Sequence, residues 1–121
     1  MSTDTILAID QGTSSTRALA FSPQGDILAR ARRELAITCP HKGWVEQSAK
    51  AIGEDSLAVT HEVLDALDAT PAAIGISNQR ETTILWDRKT GEPVHTAIVW
   101  QDRRTADMCQ EMKDNDPGLE D

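Results

Sequence analysis

Ile6-Leu7-Ala8-Ile9-Asp10-Gln11-Gly12-Thr13-Ser14-Ser15-Thr16-Arg17-Ala18-Leu19-Ala20-Phe21 is the stretch on which the reading of this chain turns. Its two apolar runs, 6–9 and 18–21, are too short for helices and right for buried strands. The polar connection between them holds a single glycine, so the pair reads as a β-hairpin. Gly12 lets the backbone come close to a ligand. The turn N–H groups and the hydroxyls of Thr13, Ser14 and Ser15 can donate to phosphate oxygens. Arg17 adds a fixed positive charge, and Asp10, at the end of the first strand, can hold Mg²⁺ through water. The same residue types also make an ordinary turn, and composition alone weighs toward that plainer reading. Neither G-x-x-x-x-G-K-S/T nor G-x-G-x-x-G is present to tip the balance.

Outward from the hairpin, Ser22-Pro23-Gln24-Gly25-Asp26 is a second turn, and a third strand is expected over roughly 27–37. Three antiparallel strands in succession make a meander, broken by Thr38-Cys39-Pro40-His41-Lys42-Gly43. Trp44-Val45-Glu46-Gln47 then leads to Ser48, a good helix N-cap. From Ala49 to about Leu67 the apolar residues Ile52, Val59, Val63, Leu64 and Leu67 recur at helical spacing and give one apolar face. Gly53 weakens that helix and Thr70-Pro71 closes it. Ala72 to Ser77 reads as a short, buried fourth strand, with the helix as its crossover and the first strand as its parallel neighbour. Thr82 to Trp86 and Ala97 to Trp100 read as two further strands about the turn Arg88-Lys89-Thr90-Gly91-Glu92-Pro93. Asp102 is placed to cap a last helix over about 103–113, followed by a polar, loose tail. The fold class is therefore α/β, in the order βββ-α-β, with an extra β-hairpin and a C-terminal helix.

That order has a chemical consequence. It sets the end of strand one beside the end of strand four, so Asp10 and the run Asn78-Gln79-Arg80-Glu81 face one crevice. An Arg beside a Glu can donate to and accept from neighbouring hydroxyls, as a polyol or sugar site requires. Such a site rejects analogues that lack the hydroxyl, because its own buried groups are then left unpaired. A polar surface loop has the same composition, and the residues alone do not separate the two readings. Trp86 and Trp100 can wall a carbon backbone. Ordinary core packing is the plainer reading for both, and the preferred one for Trp86.

A length of 121 residues suggests one domain and is enough to bury a core. With 39% hydrophobic and 26% charged residues the composition is that of a soluble globular protein. A net charge of -8 argues against nucleic acid and anionic membrane as main partners. Cys39 and Cys109, with His41, His61 and His95, form no zinc spacing and read as free thiols in a reducing compartment. Met1-Ser2-Thr3-Asp4 lacks the features of a signal peptide, and no apolar run reaches membrane-spanning length. The cytoplasm is the expected location.

Asp10–Arg17 resembles the first phosphate hairpin of the FGGY carbohydrate kinases, a family with the ribonuclease H-like, actin-like ATPase fold. Three further runs are similar to the glycerol-phosphorylating members of that family. They are Gly43-Trp44-Val45-Glu46-Gln47, Gly75-Ile76-Ser77-Asn78-Gln79-Arg80-Glu81-Thr82-Thr83 and Ala97-Ile98-Val99-Trp100-Gln101-Asp102-Arg103-Arg104-Thr105. The resemblance implies phosphorylation of glycerol to sn-glycerol 3-phosphate, with ATP as donor, ADP as product and Mg²⁺ as cofactor. It implies that Arg80 and Glu81 bind glycerol hydroxyls and that Trp100 forms part of an apolar wall. Thr13, Ser14, Ser15 and Arg17 would hold the nucleotide phosphates, and Asp10 would serve the metal. It also implies that residues 1–121 are the N-terminal part of the first of two domains. The catalytic base, the adenosine pocket and the second phosphate loop would lie in sequence beyond them. No catalytic residue is then expected among these residues, and the chain alone is expected to be inactive. The full-length protein is expected to be a homo-oligomer. Three rival readings are another FGGY kinase of a sugar or polyol, a non-catalytic actin-like nucleotide-binding module, and a structural fragment with no ligand affinity.

Overall fold

Alternation along the opening hairpin decides which of its faces goes inward. Leu7, Thr16, Ala18 and Ala20 are fully buried, while Arg17 between them is exposed. In the computed structural model, which describes residues 4–119, β1 (Ile6–Gln11) pairs antiparallel with β2 (Ser15–Phe21). The strands run further into the polar stretch than the apolar runs suggest, and only Gly12-Thr13-Ser14 remain as the connection. The Gly12 N–H donates to the Ser15 carbonyl at 2.9 Å. A Cβ at Gly12 would stand 3.0 Å from that same oxygen, so the turn is as tight as a glycine permits. β3 (Ile27–Glu34) completes the meander against β2 and ends three residues short of the expected limit, Ile37. The Leu35 N–H then donates to the Ser14 carbonyl at 2.9 Å, tying the chain after β3 to the hairpin tip. A two-residue strand, β4 (Glu46–Gln47), comes next.

Helix α1 (Ala49–Asp65) starts where its cap predicts, with the Ser48 hydroxyl accepting from the Ala51 N–H at 3.1 Å. It ends at Ala66, whose N–H bonds back to the Val63 and Leu64 carbonyls, slightly before the expected end. Val59 and Val63 are buried against Leu7, Ala18, Ala20 and Ala31, with Ile9, Leu64 and Leu67 packed around them. The helix lies mainly on β2 and β3.

After the helix, β5 (Ala73–Asn78) pairs parallel with β1, giving the sheet order β3-β2-β1-β5. The βββ-α-β order and the parallel pairing agree with the sequence reading, but the expected burial of the fourth strand does not. Every residue of β5 is exposed, Ile74 by 56% and Ile76 by 74%. β5 sits at the sheet edge, and α1 leans toward the other side, so the apolar residues of β5 have no cover among the described residues.

The extra hairpin is also less regular than expected. The segment 82–86 forms isolated bridges, Thr83 with Ile98 and Trp86 with Pro93, and no strand. Pro93 has no N–H to carry a ladder onward. Instead β6 (Ala97–Ile98) pairs with β4, so a small second sheet joins two segments that read as unrelated in sequence. Trp86 is 59% exposed and takes no part in a core, a correction to the packing reading. α2 (Ala106–Asn115) starts later than expected, after Thr105, and without a side-chain cap bond. Asp102 does not cap it, because its carboxylate is taken by Arg104 and by the Val45 N–H. Residues 1–3, part of the leader reading, and 120–121, the end of the expected tail, lie outside the described residues.

Candidate active site

Register brings the two polar clusters together. β1 and β5 run parallel with Asp10 opposite Ser77 and Gln11 opposite Asn78, so the residues after both strands emerge at one end of the sheet. There Asp10, Thr13, Arg80, Glu81 and Trp100 line a single open cavity of about 360 Å³, with Gln11, Gly12, Asn78 and Gln79 between them. Glu81 holds a left-handed backbone, φ 65°, among the described residues the only non-glycine that does. Such a conformation costs on the order of 1 kcal/mol or more and persists only where surrounding structure enforces it. It turns the chain sharply between Arg80 and Thr82, so that Arg80 and Glu81 stay at the cavity.

The hairpin tip is held from several sides. The Trp100 indole N–H donates to the Thr13 hydroxyl at 2.9 Å, which fixes that ring at the cavity's edge while half of it stays exposed. No hydrogen bond among the described residues occupies the N–H groups of Thr13 and Ser14 or the hydroxyls of Ser14 and Ser15. These donors are open to an anion. Ser14 and Ser15 do not line the cavity itself. Arg17 lies across from Asp10 on the neighbouring strand and faces a separate hollow with Leu19, Arg30 and Arg32. Its guanidinium reaches Asp10 Oδ2 from Nη2 at 2.6 Å and from Nε at 3.2 Å. The two side chains assigned to metal and phosphate are thus paired with each other.

A second constellation positions Trp100 and had no forewarning beyond the quoted runs. Arg104 donates to both oxygens of Asp102, at 2.8 to 3.0 Å, and to Glu46 Oε1 at 2.8 Å. Its guanidinium lies 3.9 Å over the Trp44 ring, which makes a T-shaped contact with His41. The Val45 N–H donates to Asp102 Oδ2 at 2.7 Å and the Arg103 N–H to the Gly43 carbonyl. Segments 43–47 and 99–104 are thereby clamped face to face, with Trp100 between clamp and cavity. Hydrogen bonds from the Arg104 side chain hold the Asp102 carboxyl well below the usual carboxylate range and lower that of Glu46. The same bonds raise the guanidinium of Arg104 further above neutrality. Gln47 is the other residue the sequence did not single out: it is fully buried between the hairpin tip and the 78–83 loop.

Comparison with known proteins fits this geometry. The chain belongs to the FGGY family of carbohydrate kinases: the model of that family's N-terminal domain matches residues 5–119. Among curated relatives, a glycerol kinase of Nitrosomonas eutropha is 60% identical over 111 residues, covering 89% of this chain and 22% of that kinase. The solved glycerol kinase of Plasmodium falciparum with ADP superposes with a TM-score of 0.85 at 32% identity, over 91% of this chain and 23% of that one. A ligand-bound xylulose kinase of Lactobacillus acidophilus shares the fold at 22% identity, with a TM-score of 0.83 over 92% of this chain and 22% of its own. The fold is the ribonuclease H-like, actin-like ATPase fold. The chain spans 22–23% of the length of the curated relatives it matches.

Proposed function

We propose that the full-length protein transfers the γ-phosphoryl group of ATP to glycerol, giving sn-glycerol 3-phosphate and ADP. One observation carries this reading: Gly12 and Thr13 of the hairpin tip line one cavity with Arg80, Glu81 and Trp100, which supports a phosphate cradle next to a polyol grip. The names of the similar glycerol kinases support the choice of acceptor. Arg80 and Glu81 bind and orient the hydroxyls, and Trp100 covers the carbon chain. Thr13, Ser14 and Ser15 donate to the nucleotide phosphates, and Arg17 offsets their charge once released from Asp10. Phosphoryl transfer depends mostly on such positioning and charge stabilisation.

Asp10 is the residue that would hold Mg²⁺ beside the nucleotide phosphates. A single carboxylate suits it, since Mg²⁺ keeps most of its ligands as water and phosphate. Asp10 at the cavity rim fits that role, and among the described residues no cluster of His, Cys, Asp and Glu offers a metal a cage of its own. When bound, the ion would neutralise charge on the transferring group. We take residues 1–121 to be the N-terminal part of the first kinase domain. They hold grip and hairpin, and the catalytic base would come from sequence outside them. No helix of the described residues is long and apolar enough to cross a membrane. We place the full-length protein in the cytoplasm, as a homo-oligomer.

Replacing Arg80 tests the assignment. In the full-length protein Arg80→Ala should lower kcat/KM for glycerol at least about tenfold, the loss expected for a charged hydrogen bond. The KM for ATP should stay within about threefold. Unchanged glycerol kinetics would refute the role given to Arg80.

A further inference from the structure

Five residues from four separate segments close a ring of hydrogen bonds along the cavity wall: Thr13, Gln79 and Trp100 line the cavity, and Gln47 and Thr82 stand behind them. The Gln47 amide Nε2 donates to the Thr13 carbonyl at 2.5 Å. Gln47 Oε1 accepts from Gln79 Nε2 at 2.8 Å. Gln79 Oε1 accepts from the Thr82 hydroxyl at 3.2 Å, and the Thr82 hydroxyl accepts from the Trp100 N–H at 3.3 Å. The Trp100 indole returns to the Thr13 hydroxyl at 2.9 Å. The direction of each amide is dictated. A carbonyl can only accept, so Gln47 must turn its nitrogen to Thr13. Its oxygen is then left for Gln79, whose nitrogen must face it, leaving oxygen for the Thr82 hydroxyl. Gln47 is the ring's buried member, 1% exposed; like Trp100 it bonds both the hairpin tip and the loop that carries Arg80 and Glu81, but unlike Trp100 it does not line the cavity.

We propose that Gln47 is a positioning residue that sets the distance between the phosphate hairpin and the polyol grip. It touches neither ligand in this arrangement, since it lies behind the cavity and does not line it. Its effect passes through Thr13 on one side and Gln79 on the other. The inference rests on the function proposed above only for its kinetic consequence. In-line transfer needs acceptor and phosphoryl donor at near-attack distance, where a misplacement of about 1 Å can cost on the order of a hundredfold in rate. Each grip taken separately is intact without Gln47, so binding of each ligand should suffer less than turnover.

Gln47→Met keeps the side chain's length and removes both bonds. In the full-length protein, kcat should fall about 10- to 100-fold while the KM values for glycerol and for ATP each move less than about threefold. Gln79→Met cuts the same link from the half-buried Gln79. It should reproduce the loss, and the double variant should be little worse than either single one. Hydrogen exchange on the same proteins supplies a readout without turnover: segments 10–17 and 78–83 should lose protection together in both variants. A kcat within about twofold of wild type in folded Gln79→Met overturns the proposal, even where Gln47→Met does not fold. So do additive losses, or a rise in exchange confined to one of the two segments. Should the wild-type protein release no ADP with glycerol, the functional reading fails on that result, and the exchange data still decide the link.

Discussion

Asp102 is the residue whose surroundings changed its meaning most. In sequence it stands where a helix cap would, just ahead of a helical run. In the structure its side chain is 3% exposed and surrounded by donors: the Arg104 side chain, the Arg104 N–H and the Val45 N–H. These donors favour the ionised carboxyl, so its folded-state value lies below the unfolded one. Its contribution to stability is therefore complete above the ordinary carboxylate range and is lost as pH falls through the lowered value. Asp102→Asn should destabilise the protein to urea at pH 7. The difference from wild type should shrink once pH drops below about 4, the ordinary carboxylate value. A difference that stays constant from about pH 7 to pH 3 would contradict this. Glu81 teaches a related lesson. Nothing in the letters Arg80-Glu81-Thr82 announces a left-handed residue; bonds from Thr82 to Gln79 and from Thr83 to Ile98 bracket it in the fold.

Among the elements, α1 was the most legible. Its cap and its apolar spacing are local or periodic features. Gly53 is its one weak position, exposed and in the helix interior, and a Cβ there meets nothing within 4 Å. Gly53→Ala should raise stability by about 0.5–1 kcal/mol through lower unfolded-state entropy and better helix propensity. Thermal or urea unfolding reads this directly, and a lower midpoint would show that the glycine has a packing role. The segment 82–98 was less legible. Its turn chemistry is sound: Asp87 accepts from the N–H groups of Lys89 and Thr90, which also holds its carboxyl below the usual range. Its strands did not form as read, because Ile98 is shared between Thr83 and Glu46. A pairing across half the chain leaves no periodic trace.

The whole molecule presents its candidate site on one side only. The cavity at the ends of β1 and β5 is open, and the apolar residues of β5 lie exposed beside it. No described residue stands there as a base toward a bound hydroxyl other than Asp10 and Glu81, which the proposed reading gives to metal and substrate. The 121-residue chain alone should therefore show no glycerol-dependent turnover in a coupled ADP-release assay. Robust turnover would mean that one of those two carboxylates serves as the base.

The sequence by itself determined the hairpin, the capped helix, the βββ-α-β order and the meeting of Asp10 with Arg80-Glu81. These follow from local propensity, from periodicity and from the geometry of a parallel crossover. The family was legible too, through motifs spread over most of the chain. Tertiary structure alone decided that β5 lies exposed, that Arg17 pairs with Asp10, and that Arg104 gathers Asp102 and Glu46 over Trp44. It alone placed Gln47 between hairpin and loop. Those outcomes rest on contacts between residues up to 87 positions apart, as between Thr13 and Trp100. A hydrogen bond at such a separation depends on where two folded segments come to rest, and no spacing rule in either segment encodes it.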